Sequence, residues 1–291
     1  MFKSLLVPAL GNDADEPALN AAAAIARGFA AHIDALHVRL DAAEMAVAMA
    51  ADTSGAGSAI SAGLIDDLEK NIREREQRAK QTFSRFCAAQ GLTVSDAAGS
   101  GSGQPSAALR LETGQEERWV SSYAMTADLT VCGRGADDAS AATRALLEAV
   151  LMDSGRPLLI PDGAKPFALP ENIAIAWKAT PQAARAVAAA LPLLKRAKQV
   201  AVITVEERDA DHGEGERLLT YFGRHGVKPA VERVAPAPTG APETLLAAAS
   251  RQRADLLVMG GYGHGRLREW IFGGFTQHML SAAPLPVLIA H

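Results

Sequence analysis

Apolar positions follow two alternating rhythms along this chain: short unbroken runs, and longer stretches in which apolar residues return every third or fourth position. Unbroken runs mark strands buried on both faces of a parallel sheet, and the slower rhythm marks amphipathic helices. Ser4–Ala9 and Ile33–Val38 read as the first two strands, with a helix over Glu16–Ala31 between them that carries Pro17 in its first turn. Thr93–Ala97, Leu129–Cys132 and Pro157–Ile160 read as the third, fourth and fifth strands, and Leu64–Ala89, Gln115–Ala124 and Ala141–Met152 as helices. The same succession then returns. Strands at Asn172–Trp177, Gln199–Val205 and Lys228–Val234 alternate with helices at Pro181–Ala197, Glu214–Arg224 and Pro242–Gln252. The run Ala254–Met259 is a further buried strand, Phe275–Ala283 a helix stopped by Pro284, and Leu285–Ala290 the last strand.

Strands alternating with helices predict an open, mostly parallel α/β sheet, and the repeat predicts two of them. Asp162–Pro170, with Gly163, Pro166 and Pro170, is the natural boundary, giving halves over 1–163 and 170–291. The expected fold class is therefore two tandem open, five-stranded, Rossmann-like sheets flanked by helices and packed as a pseudo-dimer within one chain. The first half holds extra material. Ala42–Gly63 is rich in Ala, Gly and Met and suggests a mobile or loosely helical insert, whereas Gly99–Gly103 reads as a linker. In Leu64–Ala89, Leu64, Leu68, Ile72, Ala79, Phe83 and Phe86 share a face while Glu69–Arg73, Glu74–Arg78 and Glu76–Lys80 pair at i,i+4. That charged face is either solvated or a partner surface.

Composition narrows the class. With 291 residues and 48% hydrophobic content the chain can bury a sizeable core, and a formal net charge of -4 without a basic block points away from nucleic acid. Cys87 and Cys132 lie in apolar surroundings without metal or redox spacing, which suits buried thiols in a reducing cytoplasm. The opening run Leu5–Val7 is too short for a signal segment and no stretch approaches a membrane span, so a cytoplasmic protein without a membrane partner is expected.

Candidate chemistry concentrates near the end of the chain, where Ala254–Met259 runs into Gly260-Gly261-Tyr262-Gly263-His264-Gly265 and Gly273-Gly274 precede the helix. Strand, glycine turn and helix N-terminus are the parts of an anion site, because unpaired backbone N–H groups at the helix start can meet a phosphate. A tight turn with no ligand is the competing reading. His264, Arg266 and Arg268 add donors beside the turn, and Trp270-Ile271-Phe272 either covers a ligand, meets a second subunit or packs beneath the turn. Signs of catalysis are missing: the seven histidines form no i,i+4 pair, and the chain has no Gly-x-Ser-x-Gly elbow and no Walker A run. The expectation is no catalytic residue, no metal ligand and, at most, a slow ATPase that would depend on Thr276 and Lys178.

Gly260-x-x-Gly263, nine residues, then Gly273 resembles the nucleotide loop of the universal stress protein family, as do the Met-Gly before it and the Pro-Val-Leu-Ile strand after it. The resemblance extends in plan over both halves and in motif detail over Asn172–His291. It implies an adenine nucleotide alpha hydrolase-like fold and a role in stress survival, with an adenine nucleotide such as ATP or AMP, and Mg if a triphosphate, bound or sensed in the second half. By that resemblance Trp177, Lys178 and Val205 face the adenine and ribose, and Met259, Gly260, Gly263, His264, Gly273, Gly274, Phe275 and Thr276 the phosphates. Two positions depart from the family pattern: Lys178 stands for its Asp or Asn, and Gly274 for its Ser or Thr. In the first half the matching stretches, Ala9-Leu10-Gly11 and Cys132-Gly133-Arg134-Gly135-Ala136, lack the later glycine, so that half reads as a degenerate copy supporting the other. The alternative is a stress interaction protein with a vestigial loop, whose partner surface is Ala42–Gly63 with Leu64–Ala89. Further pairing of two chains as a homodimer is left open.

Overall fold

The runs that are apolar on both sides become strands covered by helices on both sides. In this computed structural model, which describes residues 1–42, 62–95, 103–134, 141–205, 214–238, 240–261 and 274–291, the first half runs β1 (Ser4–Pro8), α1 (Asp15–Phe29), β2 (His32–Arg39), α2 (Ala62–Gln90), β3 (Thr93–Val94), β4 (Ser106–Thr113), α3 (Glu116–Ala124), β5 (Leu129–Val131), α4 (Ala141–Asp153) and β6 (Leu158–Ile160). The second half runs β7 (Asn172–Ala176), α5 (Pro181–Leu194), β8 (Gln199–Val205), α6 (Glu214–Arg224), β9 (Ala230–Val234), α7 (Ala241–Arg251), β10 (Leu256–Gly260), α8 (Gly274–Ala282) and β11 (Val287–Ala290). Most of the expected loop Gly99–Gly103 and of the insert Ala42–Gly63 lies outside the described residues.

The described strands form one sheet in the order β3-β4-β2-β1-β5-β6-β11-β10-β7-β8-β9. The two expected five-stranded sheets are instead one continuous sheet, to which the first half gives six strands and the second five, joined edge to edge. All neighbours run parallel except β6 and β11, which pair antiparallel through Val287↔Ile160, Leu288↔Leu159 and Ile289↔Leu158. An antiparallel seam between two parallel halves is what a local two-fold relation requires. The six seam side chains are fully buried, and each stabilises the join by roughly 1.5–3 kcal/mol of apolar burial.

One expectation needs correction. The strand expected over Thr93–Ala97 is present only as the short β3, and the strand that pairs with β2 is the unexpected β4, along eight residues from His32↔Ser106 to Arg39↔Thr113. Thr93–Val94 makes only a two-residue edge pair on its outer side. The sequence Ser-Ala-Ala-Leu-Arg-Leu-Glu-Thr hides this strand because its buried positions are Ser106, Ala107 and Ala108, which have little branching to mark a strand.

Two apolar layers cover the sheet. One includes Ile25, Phe83, Val187 and Phe222, from α1, α2, α5 and α6; the other includes Val120, Leu146, Leu245 and Met279, from α3, α4, α7 and α8. Each layer runs through both halves without a break.

Candidate functional site

In an open sheet of this kind the winding reverses beside the first strand of each half, and a crevice opens there at the carboxyl ends of the strands. In the second half the crevice lies between β7 and β10, which pair from Leu256↔Ile173 to Met259↔Ala176. Past these strand ends stand Trp177 and Lys178 on one side and Gly260 and Gly261 on the other. Thr180 caps α5, accepting a hydrogen bond from the Ala183 N–H at 3.2 Å, and Pro181 occupies the first helical turn.

Gly260 is required by proximity. A Cβ added there would lie 2.5 Å from the Ala183 nitrogen and 2.8 Å from the Gln182 carbonyl carbon. The strand end therefore abuts the first peptide groups of α5, which only a residue without a side chain permits. Gly133 holds the matching place in the first half, where a Cβ would meet the Ala14 carbonyl oxygen at 2.0 Å. These contacts align Gln182-Ala183 with Ala14-Asp15. The Gln182 Oε1 atom is buried and has no hydrogen-bond partner among the described residues.

The remaining expected residues are placed as follows. Trp177 is half-buried and packs on the α5/α6 layer, and its N–H donates to Ile203 O at 2.9 Å. Lys178 is exposed. Val205 ends β8 opposite Val234. Met259 points the other way, 2% exposed in the α7/α8 layer, which leaves its backbone for a ligand. Gly274 and Phe275 begin α8, and Thr276 is buried in its first turn. Gly263, His264 and Gly273 lie outside the described residues, as do Arg266, Arg268 and Trp270–Phe272.

In the first half, α2 lies against the chain that follows β1. Gly11 carries φ +69°, and α2 lies so close that a Cβ on Gly11 would sit 2.2 Å from the Arg75 carbonyl oxygen. Arg75 donates through Nε to Leu10 O at 3.0 Å and reaches Glu116 Oε1 at 3.2 Å, and Arg78 donates to Gly11 O at 2.8 Å. Asp15, 1% exposed, accepts the Leu10 and Gly11 N–H groups at 2.6 and 2.8 Å. Burial still pushes its carboxyl up to about 6, with those bonds and Arg75 opposing the rise. Burial also raises Glu116, against the pull of Arg75. It pushes the Cys132 thiol up to about 12, which makes that thiol unreactive. His37, whose Nδ1 lies 2.7 Å from Ala9 O, is held below its ordinary value by burial, and its Nε2 has no partner among the described residues. Sequence reasoning missed these residues, because an acidic pair facing Arg75 from distant segments leaves no local spacing signal.

Across the seam, Arg134 reaches the far end of α8, donating to Leu280 O, Ala283 O and Met279 O at 2.9, 2.5 and 3.2 Å. Among the described residues no group of three or more His, Cys, Asp or Glu side chains could hold a metal ion, and no helix is long and apolar enough to cross a membrane.

Residues 205–291 match the sequence profile of the Universal stress protein family. No functionally curated protein is matched by the sequence. Among solved structures, a universal stress protein from Archaeoglobus fulgidus DSM 4304 is similar over 99% of this chain and 95% of its own, at 17% identity and a TM-score of 0.66. A functionally unknown protein from Pseudomonas aeruginosa PAO1 is similar over 99% and 92%, at 15% identity and a TM-score of 0.54. Residues 205–291 are therefore similar in sequence to the universal stress protein family, and the chain as a whole has the fold of a universal stress protein structure that spans it end to end.

Proposed function

We propose that the second half binds an adenine nucleotide, ATP or AMP, in the β7/β10 crevice, and that occupancy regulates a protein partner in a cytoplasmic stress response. The observation that carries this reading is the contact of Gly260 with the first peptides of α5, beside the strand end that bears Lys178. It brings bare backbone to the crevice mouth, the surface a phosphate needs for close approach. α8, with Gly274 and Thr276 in its first turn, supplies a second helix start to the same loop in sequence. A triphosphate would carry Mg with it. Lys178 in place of a carboxylate favours an anionic ligand group over a polar base edge at that position. Binding rather than turnover is the role, with hydrolysis at most slow. The pairing of β6 with β11 gives each half, inside one chain, the support that a second subunit would otherwise supply.

Titration with ATP before and after Gly263→Val tests the site. A side chain at the second loop glycine should block the approaching phosphates and weaken binding by at least tenfold; equal affinity in the two proteins would sink the reading.

A non-nucleotide scaffold is the second reading, and the first half favours it: there Arg75 bonds Leu10 O and Glu116 where a ligand would approach the end of β1. Its partner surface would be the charged face of α2 with the preceding insert. Deleting residues 43–61 would then abolish partner capture while leaving nucleotide titrations unchanged.

A further inference from the structure

α8 is the helix whose first turn holds Gly274, Phe275 and Thr276 of the proposed site, so its position decides where those groups stand. Its last turn cannot complete its own hydrogen bonds. The Leu280 carbonyl would ordinarily accept the N–H of residue 284, and that residue is Pro284, which has none. The missing donor comes from the other half of the molecule. Arg134, directly after Gly133 at the end of β5, places Nε 2.9 Å from Leu280 O, Nη1 2.5 Å from Ala283 O and Nη2 3.2 Å from Met279 O. All three nitrogens of the guanidinium are used, on carbonyls that a helix end leaves unpaired. Its charge also complements the negative end of the helix dipole. A lysine offers one compact donor group and could not span the three carbonyls.

Arg134 also sits at an informative place in the repeat. Gly133 and Gly260 match, so Arg134 corresponds to Gly261, the residue that leads into the glycine loop of the second half. The first half has therefore given up its own loop entrance to a side chain that holds the other half's helix.

We propose that Arg134 is the positioning residue of the nucleotide site, fixing α8 from across the seam and so coupling ligand affinity to the packing of the two halves. The proposal rests on nucleotide binding by the second half. Ligand that needs α8 in place must, by linkage, strengthen the seam as the seam strengthens binding.

The test uses the full chain in three forms, wild type, Arg134→Gln and Arg134→Lys, with thermal unfolding, amide hydrogen exchange of residues 274–282 and titration with ATP. With wild type binding, Arg134→Gln should exchange α8 amides faster and bind ATP about tenfold or more weakly. Arg134→Lys should fall between the two, since it keeps the charge and loses the fork, and it serves as the readout if the glutamine variant does not fold. Equal ATP affinity in wild type and the variants, even with a lowered unfolding temperature, would overturn the proposal, because a merely structural contact moves stability alone. Failure of the wild type itself to bind would instead remove the nucleotide reading on which it rests.

Discussion

Asp15 sets an unusual sign for the pH dependence of this fold. Its carboxyl, ordinarily near 3.8, titrates at about 6 in the folded chain, so the folded state holds a proton that the unfolded state has released. Stability from this group is therefore complete below about pH 4 and lost as pH rises to about 6, an effect on the order of 3 kcal/mol. Glu116, also raised, acts in the same direction. His37 acts in the opposite one: lowered by burial, it costs stability as pH falls through the ordinary histidine range. The contribution of Asp15 thus emerges as a difference. Melting temperatures of wild type and Asp15→Asn between pH 4 and 7 should show wild type losing its relative advantage as pH rises, and parallel curves would refute the account. None of this is legible in the sequence, where Asn12-Asp13-Ala14-Asp15-Glu16 is simply an acidic loop before a helix. What makes Asp15 special is enclosure by Leu10, Gly11 and α2, which arrives only with the tertiary fold.

At the scale of elements, the two halves differ chiefly in one helix. α2 is 29 residues long and its counterpart α6 is 11; the extra turns carry Arg75 and Arg78 over the end of β1. The periodicity of α2 and its i,i+4 pairs could be read directly, and Lys80 with Glu76 does pair on its surface. Nothing in that spacing singles out Arg75, because helical spacing shows which residues share a face and not what a distant loop brings against them. Replacing Arg75 with Met should strand two buried carboxylates and the Leu10 carbonyl, costing about 2–3 kcal/mol. Urea unfolding at pH 7 measures this, and an unchanged midpoint would show that the crevice is not held by that cation. β4 was illegible for a similar reason: its alanines are buried by the neighbouring β2 and the helices, not announced by branching. Strands rich in Val, Ile and Leu, such as β8 and β10, and helices closed by Pro or Gly could be placed closely from pattern alone.

The whole molecule is one sheet with one seam. The repeat in the sequence predicted two copies of a plan, and the antiparallel pairing of β6 with β11 shows how they are joined, through side chains that are buried without exception. Because both helix layers also continue across the seam, the halves should unfold together. Leu159→Asp places a charge where no water reaches, and should cost upward of 4 kcal/mol. Calorimetry should show it as a single transition moved to lower temperature; a split into two transitions would mean that the halves are independent folding units.

The proposed division of labour between the halves rests on two contacts: Arg75 lies over the end of β1 in the first half, and Gly260 meets the start of α5 in the second. The measurement that tests this most directly begins with protein purified without added nucleotide. It is denatured, the released small molecules are identified by mass spectrometry, and the refolded or fresh empty chain is titrated with ATP. The account predicts release of ATP, ADP or AMP, or micromolar binding, at one site per chain. An empty protein that gives no heat with ATP would contradict it.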